Sequence, residues 1–361
     1  MKKLFIFVST TVLISNISFA KILRVGYNGI PLTGVDYSDI QQAQDAANAG
    51  DTLQIYGSAS NGTITKKLVI MGFGYNFDEH PGLQVVGGDA PSKADFAFGA
   101  GSDGTFITGI SGSFIIGDQS GNHVTVSNIT FQRCYGSFTF YNNIAYSAIS
   151  NIKIFGSVIT GGGMGWSAID DYAVTNLQVF NCYISDFRLY LTGTSAVFVN
   201  CVGGPNTIAG PSVTANNAGV LIRNCIFGYS NAALNINTIY ENNFFQEAQP
   251  VATIPGNNNR WSQSYFTLFN RITSANDNAS NYGSDEFDEN YFTLKAGSPA
   301  INGGFNSNNT PTNCGIFGGE AVYVYKPSGV PNIPSIYKLT APTLNTSSNP
   351  YNVTISVKSN N

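Results

Sequence analysis

The chain has 361 residues, of which 17 are basic and 21 acidic, giving a formal net charge of −4 at pH 7. Only 11% of the residues are charged, well below the ~25% of ordinary globular domains. A sparsely charged, mildly acidic chain offers no basic surface to nucleic acid. Its many Gly, Asn, Ser, Thr and aromatic residues favour β-structure with frequent turns.

Residues 1–20, with the sequence MKKLFIFVSTTVLISNISFA, are predicted to form a secretory signal peptide. Lys2 and Lys3 precede an apolar run, and Ser18-Phe19-Ala20 places small residues at positions −3 and −1 of a cleavage site. Loss of the two lysines takes the formal net charge from −4 to −6. No later stretch approaches the roughly 20 apolar residues of a transmembrane helix. The mature protein is therefore expected to be exported, and to be secreted, displayed at the cell surface or retained in the periplasm.

A capping helix is predicted near residues 39–49, with Asp39 as its N-cap and Gly50 at its end. Two short strands are predicted to follow, at Thr52–Tyr56 and at residues 67–71. A helix in this place would cover the open sheet edge at the start of a solenoid. Its predicted apolar face consists of Ile40, Ala43, Ala46 and Ala47.

The middle of the chain contains an internal repeat of about 22 residues, most visible as an Asn-Cys pair after a short apolar run. The residue before each cysteine, or its equivalent, is called position zero here. Residues at −4, −2, +1 and +3 from it are mostly apolar or small. The position-zero residues are Arg133, Gly156, Asn181, Asn200, Asn224 and Asn242.

The spacing of these inward positions is 2, 3, 2, whereas a single strand would give 2, 2, 2. One residue in the left-handed region would produce the slip, and Asn and Gly tolerate that conformation best. Each repeat therefore predicts a strand, a one-residue bend, a second strand and a longer return. The predicted fold is all-β, a single-stranded right-handed parallel β-helix whose coils stack at about 4.8 Å.

Five cysteines cannot all pair within one chain. Those at position +1 of the repeat, Cys134, Cys182, Cys201 and Cys225, are predicted to point inward. Neighbouring strands would bring their Cα atoms within bridging distance, so one disulfide is an alternative to a stack of small thiols. A linear column does not supply the tetrahedral ligand set of a zinc site.

Position +2 forms an apolar column on the outside of the predicted coil. Its members are Tyr135, Val158, Tyr183, Val202, Ile226 and Phe244. A long loop or the C-terminal tail would cover such a column. The alternative is an exposed aromatic stripe, Tyr135, Tyr183 and Phe244, that binds sugar rings or a partner surface.

Catalytic candidates are few because basic residues are sparse in the middle of the chain. Asp170 and Asp171 form an acidic pair, and Asp186 and Arg188 alternate along a predicted strand. A polysaccharide lyase would need acidic Ca²⁺ ligands and a basic residue, and a glycoside hydrolase would need clustered carboxylates. The other interpretations are a solvated acidic pair and a surface ion pair.

A second acidic cluster, in the sequence GSDEFDENYF, is a candidate Ca²⁺ site, although its spacing matches no EF-hand loop. Ca²⁺ is the one cofactor that the sequence suggests. A solvated acidic loop is the alternative interpretation. The carboxylates are Asp285, Glu286, Asp288 and Glu289.

Motifs near both ends resemble those of pectin-lyase-like right-handed parallel β-helix proteins. The first follows the pattern I-x-x-A…A-x-x-G-D-T…Y from Ile40, and a K…L-x-I-x-G strand motif follows it. The second, LKAGSPAINGGFNSNNTPTNCGIFGGE, resembles the GSPAI-(D/N)-x-G…D-I-G-A-F closing motif of exported Bacteroidetes-type proteins. It departs from that motif at Asn313, which stands where the pattern has Asp.

The predicted organisation is a signal peptide at 1–20, a β-helix domain at 21–320 and a C-terminal tail or hairpin at 321–361, with strands at 335–340 and 351–357. The resemblance implies the fold strongly and an activity weakly, because its superfamily includes lyases, hydrolases and adhesins. We expect a non-catalytic carbohydrate-binding or adhesive scaffold, whose partner is a polysaccharide or a cell-surface glycan. A polysaccharide lyase or glycoside hydrolase is the alternative.

Overall fold

The computed structural model describes residues 20–26, 34–75, 92–117, 124–141, 147–164, 174–188, 195–209, 219–227, 238–246, 248–249, 256–271, 289–340 and 352–358. The signal peptide, apart from Ala20, lies outside these residues. The chain is mostly β, with 46% strand and 8% helix. No helix in the described part is long and apolar enough to span a membrane.

The described helices are α1 (Ile40–Ala46) and α2 (Tyr265–Leu268), with 3-10 turns at Glu289–Phe292 and Pro327–Gly329. In chain order the strands are β1 (Ile22–Gly26), β2 (Thr52–Tyr56), β3 (Gly62–Ile64), β4 (Val69–Met71), β5 (Phe96–Phe98), β6 (Phe106–Thr108), β7 (Ser111–Gly117), β8 (Val124–Ser127), β9 (Thr130–Gln132), β10 (Tyr135–Tyr141), β11 (Ser147–Phe155), β12 (Val158–Met164), β13 (Val174–Phe180), β14 (Tyr183–Arg188), β15 (Ala196–Val199), β16 (Val202–Ala209), β17 (Val220–Arg223), β18 (Ile226–Phe227), β19 (Thr238–Glu241), β20 (Phe244–Phe245), β21 (Gly256–Asn257), β22 (Gly304–Phe305), β23 (Pro311–Thr312), β24 (Ser335–Thr340) and β25 (Thr354–Lys358).

Two long parallel sheets contain most of the strands. The first sheet runs β1-β2-β4-β6-β9-β11-β13-β15-β17-β19-β21, with β8 also paired to β11, and the second runs β20-β18-β16-β14-β12-β10-β7-β5-β3. From β9 to β20 the chain alternates between the two sheets, so each strand pairs with the equivalent strand of the next repeat. This arrangement is compatible with a parallel β-helix.

The bend between the sheets lies at position zero in every repeat. All six position-zero residues have φ between 51° and 57°, which is the left-handed region that Asn and Gly tolerate best. The bend moves the chain from the first sheet to the second, as Asn181 does between β13 and β14. Because the alternation slips there, residues on both sides of the bend face the same core.

Aromatic rings and small side chains divide this core between them. Toward the N-terminal end, Phe96, Phe114 and Phe138 stack from strand to strand, with centroids 4.8 Å apart for Phe114 and Phe138. The thiols of Cys134, Cys182, Cys201 and Cys225 form a separate buried column beside the bend. Each fully buried Phe contributes roughly 1.5–3 kcal/mol by leaving water.

Helix α1 is the predicted cap, and the Asp39 carboxylate accepts a hydrogen bond from the Gln42 N–H at 3.0 Å. The helix ends at Ala46 rather than at Gly50. The predicted apolar face was wrong at Ala46, which is exposed, whereas Gln44 is buried. At about 100° per residue, Gln44 lies on the same side as Ile40 and Ala46 lies on the flank.

The two C-terminal strands form an antiparallel hairpin, β24 and β25. Strand β24 has the predicted bounds, and β25 is displaced toward the C-terminus from the predicted 351–357. Pairing of Ser335 with Lys358 and of Thr340 with Thr354 sets these limits. Likewise, β4 begins at Val69 rather than at Lys67.

Candidate functional site

The apolar column at position +2 is covered, and the prediction of an exposed aromatic stripe at Tyr135, Tyr183 and Phe244 was wrong. Tyr183 is 1% exposed, Phe244 is fully buried and Tyr135 is partly buried. Burial, followed by the proximity of Tyr135, raises the pKa of the Tyr183 hydroxyl well above its ordinary value. The column is therefore part of a second apolar core.

This second core lies between the column and the C-terminal part of the chain. The ring of Phe292 stacks on Tyr183 with centroids 4.8 Å apart, and the Tyr265 hydroxyl of α2 donates to the Gly203 carbonyl. Residues 298–331, called the strap below, continue along the same surface. At Gly315 the strap passes so close that an added Cβ would lie 3.2 Å from Val202. The first interpretation of the column, that a long loop or the C-terminal tail covers it, agrees with this burial.

Side chains at position zero hold the strap in place. Asn181 Nδ2 donates to the carbonyls of Ile316 at 2.8 Å and Gly318 at 2.7 Å. Asn200 Nδ2 donates to the Asn313 carbonyl at 2.8 Å. The bend residues predicted as structural thus have a second role, because their amides satisfy backbone carbonyls of the strap that would otherwise be buried without partners.

The same pattern holds at both ends of the strap. Asn224 Nδ2 donates to the Phe305 carbonyl at 2.8 Å, and its Oδ1 accepts from the Phe305 N–H at 3.2 Å. At the other end, the guanidinium of Arg133 donates to the Val330 carbonyl. Burial lowers the pKa of Arg133 to about 10, so the group is still charged at neutral pH. The predicted domain boundary at residue 320 falls inside the strap, whose contacts continue to Val330.

The cysteines of the repeat are free thiols buried in the core. The Sγ of Cys225 accepts a hydrogen bond from the Cys201 N–H at 3.3 Å, and the Sγ of Cys201 donates to the Val199 carbonyl at 3.5 Å. Burial raises the pKa of Cys134 to about 12 and that of Cys182 well above its ordinary value. These thiols pack as small apolar groups and are not poised for nucleophilic chemistry. The disulfide alternative is not realised.

The predicted catalytic residues are not gathered into a site by the described structure. Asp170 and Asp171 lie outside the described residues. Asp186 and Arg188 lie in β14, where they pair in register with Asn206 and Ala209 of β16. Both residues therefore belong to the second sheet.

Most of the predicted Ca²⁺ ligands also lie outside the described residues. Asp285, Glu286 and Asp288 lie outside the described residues, and Glu289 begins the 3-10 turn Glu289–Phe292. Among the described residues, no group of three or more His, Cys, Asp or Glu side chains is arranged to hold a metal ion.

The open surface of the repeats is the outward side of the first sheet, where neighbouring strands place equivalent residues in register. This outer face is defined by the position −3 column, whose members are half-buried except for Ile239, which is 46% exposed. They are Thr130, Lys153, Gln178, Val197, Leu221 and Ile239. The column changes from polar to apolar along the sheet.

Aromatic rings lie beside the polar half of the outer face. Phe155 and Phe180, at position −1, are half-buried. Tyr323 of the strap stacks on Phe180 with centroids 4.7 Å apart, and meets Phe155 edge-on at 5.5 Å. The ammonium of Lys153 lies 5.7 Å from the centre of the Tyr323 ring. The strap thus adds a ring to the surface of the sheet.

A chain of amides borders the other side of the same column. Gln178 Nε2 donates to Asn176 Oδ1, and Asn176 Nδ2 donates to Asn151 Oδ1, each at 2.9 Å. Asn128, Asn151 and Asn176 all have φ between 56° and 59° and are exposed. They form a second bend column, five residues before position zero. Amides can donate and accept at once, which suits hydroxyl-rich ligands.

Sequence reasoning did not identify the residues of the outer face, the bounds of the strap or the strap contacts of Arg133. The signal for the outer face was present, because positions −5, −3 and −1 recur with the same period as position zero. Cys314, the fifth cysteine, was also left unexplained, and it is buried in the second core with its Sγ 3.4 Å from the Asn242 carbonyl.

Comparison of the sequence with models of known protein families gives no match. Comparisons with curated proteins and with solved structures give none either. The resemblance to pectin-lyase-like proteins therefore rests on the motifs quoted above.

Proposed function

We propose that this chain is an exported right-handed parallel β-helix of the pectin-lyase-like type, with coils of about 22 residues, and that it acts as a non-catalytic carbohydrate-binding or adhesive scaffold. Its contact surface is the outer face of the first sheet. The observation that carries this proposal is that aromatic rings lie along one side of that face and a chain of hydrogen-bonded amides along the other. Tyr323 and Phe180 lie on one side of Gln178, and Asn176 and Asn151 on the other.

This combination suits a polysaccharide for physical reasons. Sugar rings present apolar C–H faces to aromatic rings and hydroxyl groups to amides, which can serve as donors and acceptors. Neighbouring strands repeat at about 4.8 Å, so a linear glycan could meet several equivalent positions in succession. The covered column at position +2 offers no such contact, since its members are buried beneath the strap.

A glycan-array screen of the purified chain lacking residues 1–20 tests the proposal. Gln178→Ala removes one amide from the outer face and is expected to weaken binding about 2–10-fold, the range for one hydrogen bond. Gln42→Ala, the same change at an exposed position of α1, should leave binding unchanged. Equal effects of the two variants, or no glycan bound by the parent chain, would contradict the proposal.

The catalytic alternative is tested on the same protein. The chain is incubated with acidic polysaccharides and Ca²⁺, and turnover is followed by the absorbance of unsaturated products, which a lyase forms, and by new reducing ends, which a hydrolase also forms. Steady product formation that is lost in Arg188→Ala would overturn the non-catalytic assignment. Binding without turnover supports it.

A further inference from the structure

The first strand of the first sheet begins beside a buried carboxylate. Lys21 immediately precedes β1, and its backbone N–H donates to Asp51 Oδ1 at 2.7 Å. Its carbonyl accepts from the Thr52 N–H at 2.8 Å, which continues the pairing of β1 with β2. Among the described residues, Lys21 is therefore the first in the chain to be hydrogen-bonded to the sheet.

Asp51 is 2% exposed, and its second oxygen accepts from the Asn48 N–H at 2.7 Å. Burial on its own would raise the pKa of this carboxyl. The hydrogen bonds from Lys21 and Asn48, together with the charges of Lys21 and Lys66, hold the pKa below its ordinary value. The hydrogen bonds to its two oxygens come from neutral backbone N–H groups, and a bond from a charged donor would be stronger. The ammonium of Lys66 is already bonded to three carbonyls, those of Gln44, Asp45 and Ala47.

We propose that export gives Asp51 a charged donor in direct contact, because cleavage after Ala20 converts the Lys21 N–H into an α-ammonium group that pairs with Asp51. The inference rests on the exported state in the proposed function. Ala20 and Lys21 are exposed, so the bond between them is on the surface. Hydrolysis breaks the Ala20–Lys21 peptide bond, water supplies the second carboxylate oxygen of Ala20, and its two protons complete the ammonium of Lys21.

The new charge arises on an atom that the fold already places against Asp51. An α-amino group has an ordinary pKa of about 7.7–8.0, so it is mostly protonated at neutral pH. A hydrogen bond between two charged groups is stronger than one from a neutral amide. Among the described strands of the first sheet, β1 pairs with β2 alone, so this ion pair would fasten the N-terminal end of an edge strand. The processed chain is then more stable at its N-terminal edge than the precursor.

Two chains test the proposal, one beginning at Lys21 and one beginning at Ser18. The first is released from a fusion by a protease that leaves no extra residue, and the second keeps the amide at Lys21. Each is made with and without Asp51→Asn. With Asp51 present, the chain that begins at Ser18 should melt about 2–4 °C lower, which corresponds to roughly 1 kcal/mol. Hydrogen exchange in β1 should be about fivefold faster in that chain.

The difference should vanish in the Asp51→Asn pair. Equal melting and exchange of the two chains with Asp51 intact would overturn the proposal, as would a difference that persists after Asp51→Asn. If the Asp51→Asn chains do not fold, the comparison with Asp51 intact still decides the outcome. N-terminal sequencing of the protein exported by a bacterial host should begin at Lys21, and another start would refute the cleavage step. Glycan binding is scored separately, so its failure would leave these results standing.

Discussion

Replacement of Asn181 by glycine separates the two roles that the position-zero residues have in this fold. Asn181 has φ 51° and donates to two carbonyls of the strap, those of Ile316 and Gly318. Glycine adopts positive φ at no steric cost, so the bend is retained. Asn181→Gly therefore removes the strap contacts and leaves the backbone geometry intact.

The expected cost follows from the two hydrogen bonds. Asn181 is 2% exposed, so water does not readily replace its amide. Each lost bond between neutral groups is worth about 0.5–1.5 kcal/mol, and a carbonyl left without a partner in a buried place adds to this cost. We expect Asn181→Gly to lower the free energy of unfolding by about 2 kcal/mol. At about 2–4 °C per kcal/mol, the melting temperature falls by about 4–8 °C.

Hydrogen exchange and limited proteolysis show where the loss occurs. Exchange should increase in the part of the strap around Ile316 and Gly318 before it increases in the first sheet. Asn176→Gly is the matched control, because Asn176 has the same left-handed backbone, with φ 58°, but is exposed and bonded to neighbouring surface amides. The control should melt within about 1–2 °C of the parent.

Two results would refute the reasoning about the strap. One is an Asn181→Gly chain whose strap exchanges no faster than in the parent. The other is an equal loss of stability in Asn176→Gly, which would show that asparagine matters for the bend alone.

Three further predictions concern packing, the N-terminal cap and the thiols. Gly136→Ala should prevent folding or lower the melting temperature by more than 10 °C, about 3 kcal/mol or more, because an added Cβ would lie 1.7 Å from the Gly112 carbonyl oxygen at φ 145°. The control Gly297→Ala, at φ 80° with no atom within 4 Å of the added Cβ, should cost only about 1 kcal/mol. Similar melting temperatures of the two variants would contradict the packing argument. Lys66→Met removes three hydrogen bonds to carbonyls at the end of α1. It should lower the local stability of α1 by about 1.5 kcal/mol and so make hydrogen exchange there about tenfold faster. The control Lys67→Met should leave exchange in α1 unchanged. No cysteine should react with a thiol reagent in the native protein, and all five should react after unfolding, since each is buried; rapid native labelling would show that the core opens.

The repeat was predictable because its chemistry is local and recurs. The left-handed bend needs a particular residue type, and the slip in inward positions follows from it, so the sequence alone is enough to assign Asn181 and Asn200 to bends. The inward direction of Cys182 and Cys201 followed from the same pattern. Strands β2 and β24 were predicted at their observed bounds because alternation and flanking turn residues define both.

The strap was not predictable in the same way. Asn181 and Ile316 are 135 residues apart, and the acceptors are backbone carbonyls that leave no mark on the sequence. An outward apolar column indicates that something covers it, and residue types alone do not say what. The prediction therefore kept two alternatives for Tyr183, and the exposed alternative failed because the ring of Phe292 lies on it.

At four of the six bends, the side chain at position zero donates a hydrogen bond to a carbonyl of the strap. Where the strap offers carbonyls within reach of a short amide, as at Asn181 and Asn200, the bend residue is asparagine. At Gly156 the strap backbone lies at van der Waals distance from the place of a Cβ, with the Tyr323 carbonyl oxygen 3.9 Å away. At Arg133 the accepting carbonyl belongs to Val330, and a long side chain reaches it. All three residue types adopt the same left-handed backbone, so the bend by itself does not distinguish them. Arginine is a poor choice for a left-handed bend, and the strap carbonyl that its side chain reaches gives a reason for its presence at this position.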